Sequence, residues 1–224
     1  MTVYIEKPAA NLREELASLR NQGGYQEQQF YFDGLVTNGT FDVDTSGWNP
    51  SASTLSAVSG RLRITNTGAY GAANASITTE VGKVYQVSVT SFNGTAGNNS
   101  WRLGTTNGGS DIYNRAASSS EGTDTAIFVA TTTTVYFRLY AWTTTVGQYS
   151  EYDNVSVFEV DANDDVIHTM PKGWKPKDVF EDGLLQREGA AHDYEVVYDG
   201  FDYYVKPTVA PSAITQTCVI GVKA

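Results

Sequence analysis

The chain has 224 residues and a formal charge of −10. The excess falls as −2 over residues 1–34 (3 basic, 5 acidic), −2 over 35–157 (6 basic, 8 acidic) and −6 over 158–224 (6 basic, 12 acidic). No segment is basic, which excludes nucleic-acid binding as a main task, and no apolar run is long enough for membrane insertion.

Only 18% of residues are charged, while Gly, Ser, Thr, Asn and Tyr are abundant, the composition of a turn-rich β protein. The first segment, residues 1–34, starts with a predicted helix. Pro8 suits its first turn, Leu12, Leu16 and Leu19 fall at i, i+4, i+7, and Gly23-Gly24 ends it. One narrow apolar stripe is marginal in water, so this helix is expected to dock on something. The aromatic, Gln-rich stretch Gly24–Asp33 is expected to be a linker. The N-terminus lacks the basic start and apolar core of a secretion signal, which predicts assembly in a cytoplasm.

Residues 35–160 are predicted to form a two-sheet antiparallel sandwich. Strands are expected at Leu35–Thr37, Arg61–Thr65, Ala75–Thr79, Lys83–Thr90, Trp101–Gly104, Thr125–Val129, Thr134–Trp142 and Asn154–Val160. Most alternate with period 2, as in Tyr136, Arg138 and Tyr140 against Val135, Phe137 and Leu139. After the acidic break Asp161-Ala162-Asn163-Asp164-Asp165, residues 161–224 read as a small β-unit. Its clearest signal is the Asp199-Gly200 turn between two aromatic-rich strands, a hairpin. Cys218 is the only cysteine, which excludes an internal disulfide, and Thr217-Cys218-Val219-Ile220 reads as a buried strand.

Two distant stretches carry a resemblance. Leu35-Val36-Thr37-Asn38-Gly39-Thr40-Phe41-Asp42, followed by Ser46-Gly47-Trp48, reads as the opening of a sandwich. Tyr152-Asp153-Asn154-Val155-Ser156-Val157 reads as its closing strand. The pair resembles the jelly-roll carbohydrate-binding modules appended to polysaccharide-degrading enzymes, which also occur in phage fibre and other virion proteins. Residues 161–224 look like a small β-unit of phage tail and fibre proteins. Glu6–Leu16 looks like the docking end of such proteins.

The resemblance implies an all-β jelly-roll sandwich with a short N-terminal helix and a small C-terminal β-unit. It implies a non-enzymatic virion structural protein of tail fibre, head fibre or capsid decoration type. Its partners would be capsid, portal or tail proteins docked through the N-terminal segment, other copies of itself as a trimer, and host surface polysaccharide. Alternatives are a carbohydrate-binding module of a polysaccharide-degrading system and a purely structural connector. The family also implies a structural calcium ion at Asn38, Thr40, Asp42 and Asp153, helped by backbone near Gly60. Asp42 stands where the family more often has Glu, and Trp48 is implied to be core.

A sugar platform needs exposed rings to stack on sugar C–H faces, with polar groups beside them. The candidates are Trp101, Tyr113, Tyr140, Trp142 and Tyr149, with Arg102, Asn107, Asp111, Asn114 and Gln148 as neighbours. Tyr136, Tyr140 and Trp142 share one face, so part of that row is expected to be buried. Catalysis has little support. Glu151 with Asp153, or Asp42 with Asp44, are conceivable carboxylate pairs, but acidic residues near turns are mostly solvated. His168 and His192 have no neighbours at metal-ligand spacing. No Gly-x-Ser-x-Gly elbow and no phosphate loop occurs.

Overall fold

A computed structural model describes residues 27–32, 34–163, 165–181, 184–189, 193–209 and 217–223. The helix predicted after Pro8 lies outside the described residues. The sandwich strands are β2 (Asn49–Ser51), β3 (Ser53–Ala57), β4 (Leu62–Asn66), β5 (Ala72–Thr78), β6 (Val84–Phe92), β7 (Asn99–Gly104), β8 (Tyr113–Ser118), β9 (Gly122–Val129), β10 (Thr134–Ala141) and β11 (Tyr149–Val160). They are preceded by β1 (Glu27–Phe32). They are followed by β12 (His168–Thr169), β13 (Trp174–Glu181), β14 (Leu184–Leu185), β15 (Tyr194–Tyr198), β16 (Tyr203–Pro207) and β17 (Thr217–Lys223).

The sandwich is the expected antiparallel jelly roll. A front sheet runs in the order β2-β5-β10-β7-β8 and a back sheet in the order β3-β4-β11-β6-β9. From β5 to β7 and from β8 to β11 the chain crosses between sheets, which is why strands adjacent in sequence rarely pair. Alternation decides what is buried. Val135, Phe137 and Leu139 of β10 turn inward to meet Tyr85, Val87 and Val89 of β6 and Leu62 and Ile64 of β4. Trp48 joins this core at 5% exposure, with its ring 5.5 Å from Phe41 and 6.2 Å from Phe137.

Several expected boundaries move. Leu35–Thr37 is not a strand; it lies against β11 through Leu35 N–H to Val157 O at 2.9 Å. Gly39 then meets a bulge in β11 between Asp153 and Ser156. A Cβ on Gly39 would lie 1.9 Å from Val155 O, so the Asn-Gly sequence serves a close backbone approach here, not a hairpin turn. Asn154, at the bulge, takes the left-handed φ of 48° that Asn tolerates.

Residues 24–33 are not simply a linker. Glu27–Phe32 is β1, paired antiparallel with β17 from Glu27 opposite Val222 to Phe32 opposite Thr217. The C-terminal unit is therefore built from both flanks of the sandwich, as a sheet of order β1-β17-β13-β14 and a second of order β12-β16-β15. The Asp199-Gly200 hairpin forms as expected between β15 and β16. Asp199 Oδ1 accepts the Phe201 and Asp202 N–H groups at 2.8 and 2.9 Å. Cys218 is half-exposed, while Val219 beside it is buried, so Cys218 sits on the outer side of β17.

Candidate functional site

The pleat of β10 sets the outer face of the front sheet. With its apolar residues turned inward, Tyr136, Arg138 and Tyr140 point outward. On one side Ser76 and Asn74 of β5 lie opposite Tyr136 and Arg138. On the other, Gly104 and Arg102 of β7 lie opposite the same two residues. Asn49 of the edge strand β2 continues the row beside Asn74.

Residues 105–112 fold over this face. A Cβ on Gly108 would meet Arg138 Nη1 at 2.8 Å, and Gly108 has φ of +84°, so glycine lets the loop rest against the guanidinium. Asp111 anchors the loop by accepting the Thr105 hydroxyl at 2.7 Å and the Thr105 N–H at 3.0 Å. These bonds hold its carboxyl below the usual carboxylate range. The result is a groove of about 660 Å³ lined by Asn49, Ser51, Asn74, Asn107, Tyr136 and Arg138 among others.

At the far end of β10 the row runs into an aromatic shelf. Tyr70 packs on Trp142 with ring centroids 4.8 Å apart, and Trp142 meets Tyr140 edge-on at 5.3 Å. Buried Asn66 holds the shelf. Its amide nitrogen donates to the carbonyls of Gly68 (2.6 Å), Thr145 (3.0 Å) and Thr143 (3.3 Å), and its Oδ1 accepts Gly71 N–H (2.9 Å). One side chain thus fixes both loops that carry the rings. Tyr136 to Trp142 spans about 20 Å at the ordinary strand rise.

The expected platform residues divide over the molecule. Trp142 lies on this face, half-exposed. Tyr140 also faces it but is 6% exposed, because the guanidiniums of Arg102 and Arg138 lie 5.0 and 5.1 Å from its ring centroid. Trp101 is a correction: it is 0% exposed and turned into the core, with Tyr113 stacked on it at 4.5 Å. Neither is an open stacking surface. Tyr149 lies on the opposite sheet beneath Arg63, 4.0 Å away.

Among the expected polar neighbours, Asn107 lines the groove, and Asn114 accepts from Arg102 Nε at 3.0 Å. Gln148 instead braces a loop by accepting the Thr143 hydroxyl at 2.6 Å. Tyr70, Arg138, Asn74 and Asn49 were not among the candidates. The alternation of β10 places Arg138 beside Tyr136 and Tyr140, so that one was readable; Tyr70 and Asn49 come from segments with no periodic signal.

The expected metal ligands come together in part. Asp42 and Asp153 are neighbours: burial raises the Asp153 carboxyl, and the Asp42 charge raises it further, while Arg61 opposes. Asp42 Oδ1 is 3.4 Å from where a Gly60 Cβ would stand. Asn38 is drawn away, donating its amide to Asp44 O (2.9 Å), Asp44 Oδ1 (3.0 Å) and Ser46 O (3.3 Å). Among the described residues no cluster of three or more His, Cys, Asp or Glu is set to hold a metal ion. The imagined carboxylate pairs are engaged elsewhere. Glu151 pairs with Arg63 at 2.7 Å and Arg61 at 3.6 Å, and Asp44 is held ionised by the Ser46 backbone N–H.

No family model matches the chain, and no curated protein matches it. Among solved structures, the chain is similar to a CBM4 structure at 15% identity and TM-score 0.41, covering 55% of this chain and 99% of that one. It is similar to the enzymatically active domain of tailspike protein 4 of bacteriophage CBA120 at 14% identity and TM-score 0.44, covering 57% of this chain and 21% of that one. A variant of a family 29 carbohydrate-binding module is similar at 15% identity and TM-score 0.38, covering 59% of this chain and 92% of that one.

Proposed function

We propose that this chain is a non-catalytic glycan-binding protein whose ligand lies along the outer face of the front sheet. The observation that carries this reading is the combination on one strand of an open polar groove at Tyr136 and Arg138 with the Tyr70–Trp142 shelf. Sugars need that pairing: flat apolar surface for their C–H faces and fixed polar groups for their hydroxyls. A face about 20 Å long matches an extended oligosaccharide better than a single sugar. The chain would be displayed on a virion appendage, as a trimer assembled in the host cytoplasm. The order of elements in residues 161–224 and the clustering of both chain flanks in one unit support that setting. Repetition on a particle would convert weak single contacts into firm attachment. A calcium ion would bind between Asp42 and Asp153, tying the first loop of the sandwich to its last strand.

Binding of the full chain to a polysaccharide panel tests the reading. Trp142→Ala and Tyr136→Ala should each weaken binding by about 1–3 kcal/mol, the scale of losing one large buried ring contact. Unchanged binding in both variants would remove this face from consideration, and light scattering of the full chain would test the trimer.

A further inference from the structure

We propose that the ligand of this face is an anionic glycan, one bearing carboxylate or sulfate groups; the inference rests on the glycan-binding reading and specifies its chemistry. Residues 35–157 contain six basic side chains. Four have carboxylate partners: Arg61 and Arg63 with Glu151, Lys83 with Glu159, and Arg115 with Asp124. The remaining two, Arg102 and Arg138, have none within 4 Å among the described residues. They are also the two that point out of the front sheet, and they stand directly opposite each other on β7 and β10.

Like charges facing each other across a strand pair are destabilising. Among the described residues no Asp or Glu neutralises these two side-by-side cations, although the chain carries a surplus of carboxylates. What holds them is Tyr140, whose ring lies against both guanidiniums. Ligand anions are the missing neutralising charge.

Hydrogen bonding points the same way. Arg138 donates to Ser51 Oγ at a long 3.4 Å, and its buried Nε has no partner. Opposite it, Asn74 donates its amide nitrogen to Asn49 O at 3.2 Å, leaving Oδ1 buried and without a partner. Arg138 lines the groove, and its planar guanidinium fork is suited to a two-oxygen anion, while the occluded Nε and the Asn74 Oδ1 leave unsatisfied polar atoms beneath the groove surface. Arg102, between the groove and Trp142, presents the second charge one strand away. Two cations on a chain of charge −10 are too few for nucleic acid, which is bound through many phosphate contacts.

The test uses matched polymers on the full chain: polygalacturonate and alginate beside their carboxyl-reduced forms, dextran sulfate beside dextran, and a single-stranded oligonucleotide. The expected result is at least tenfold tighter binding to one acidic polymer than to its neutral match, weakening with added salt. The matched pairs separate carboxylate from sulfate recognition. Arg138→Gln and Arg102→Gln should each lose most of that preference, Arg138→Lys should retain part of it, and Arg63→Gln on the other sheet should retain all of it. Thermal unfolding checks that the variants fold. Equal binding to an acidic polymer and its neutral match would overturn the anionic specificity while leaving glycan binding intact. Binding to no polysaccharide in either form would overturn both. Preference for the oligonucleotide would also overturn the proposal.

Discussion

Tyr152 joins the two sheets through a single oxygen. It stands on β11 in the back sheet, wholly buried, and its hydroxyl reaches across the core to the front sheet. It donates towards Tyr140 O at 2.6 Å and Ser100 O at 2.9 Å, and Ser100 N–H points at it from 3.1 Å. Burial pushes the phenol far above its ordinary range, so it is a neutral donor around neutral pH. Tyr152→Phe keeps the ring and strands those backbone groups in a dry core. The expected loss is about 1–3 kcal/mol in denaturant unfolding. A loss below a few tenths would mean that water replaces the hydroxyl.

The Asp42–Asp153 pair makes a prediction of opposite sign. Because burial and Asp42 raise the Asp153 carboxyl, the folded state binds more protons than the unfolded one in a window starting at 3.8. Stability therefore falls as pH rises through that window, and at neutral pH the ionised Asp153 carboxylate opposes folding. In the presence of a chelator, Asp153→Asn should raise the melting temperature, since its Oδ1 still accepts the Asn154 N–H that Asp153 Oδ1 accepts at 2.7 Å. Millimolar calcium should raise the melting temperature of the natural chain and leave the variant unmoved. Calcium that shifts both equally, or neither, would rule out a cation between these carboxylates.

Among the elements, the loop pair 67–71 and 143–147 shows how a polar core residue builds a surface. Asn66→Ala removes four hydrogen bonds at once and leaves the carbonyls of Gly68, Thr143 and Thr145 without that donor. Both loops should loosen. Trp142 fluorescence should shift towards the solvent-exposed value, and glycan affinity should drop although Asn66 itself is buried and touches no ligand. The same region marks the limit of what the sequence reveals. Alternation in β6 and β10 was legible because large apolar residues recur at period 2 against a polar face. β2 and β8 carry no such signal: Asn49-Pro50-Ser51 and Tyr113-Asn114-Arg115-Ala116-Ala117-Ser118 are edge strands with little to bury. Trp101 was misassigned for a related reason. Its polar neighbour Arg102 does point outward, but strand alternation for that reason turns Trp101 inward. Asn66 left no trace in the sequence, since its role depends on two loops 77 and more residues away in one direction and only a few in the other.

At the scale of the whole molecule, the sandwich joins the C-terminal unit at the end of β11 through an apolar cluster and a set of ion pairs. Phe158 and Val160 of β11 leave the core side after the bulge and pack with Val166 and Val84. His168 lies edge-on to Phe158 at 6.4 Å. Lys83, Glu159 and Thr169 bond across the same junction, and Lys206 holds Asp161 at 3.1 Å and Asp165 at 2.6 Å. Burial lowers the His168 imidazole from 6.5 to about 4, so the folded state keeps it neutral while the unfolded state protonates it. Stability from this group is complete above pH 6.5 and is lost as pH falls towards 4, on the order of 3 kcal/mol at the limit. Melting temperature against pH should fall over that window in the natural chain and less steeply in His168→Leu. Parallel curves would show that the surrounding acid–lysine pairs, not His168, set the dependence.

The placement of β1 gives Glu27–Phe32 a structural part in the C-terminal sheet. A detachable docking arm would leave the rest of the chain unchanged when removed. Here Glu27–Phe32 covers one edge of β17, residue by residue along most of its length. Without β1, β17 becomes an edge strand whose backbone N–H and C=O groups along that side are open to pairing with another chain. Deleting residues 1–34 should therefore destabilise the C-terminal unit and promote association, while the sandwich, whose described buried core runs from Phe41 to Val157, keeps its own unfolding transition. Two transitions in calorimetry, with only one lowered by the deletion, would match this division of the molecule. A single transition moved as a whole would mean that the two units fold as one body. Full retention of both would mean that β1 contributes nothing to the sheet it borders. Glycan binding supplies the independent readout, since every residue of the groove and the aromatic shelf lies between Thr37 and Trp142. The deletion should leave affinity for an isolated ligand unchanged even where it alters assembly.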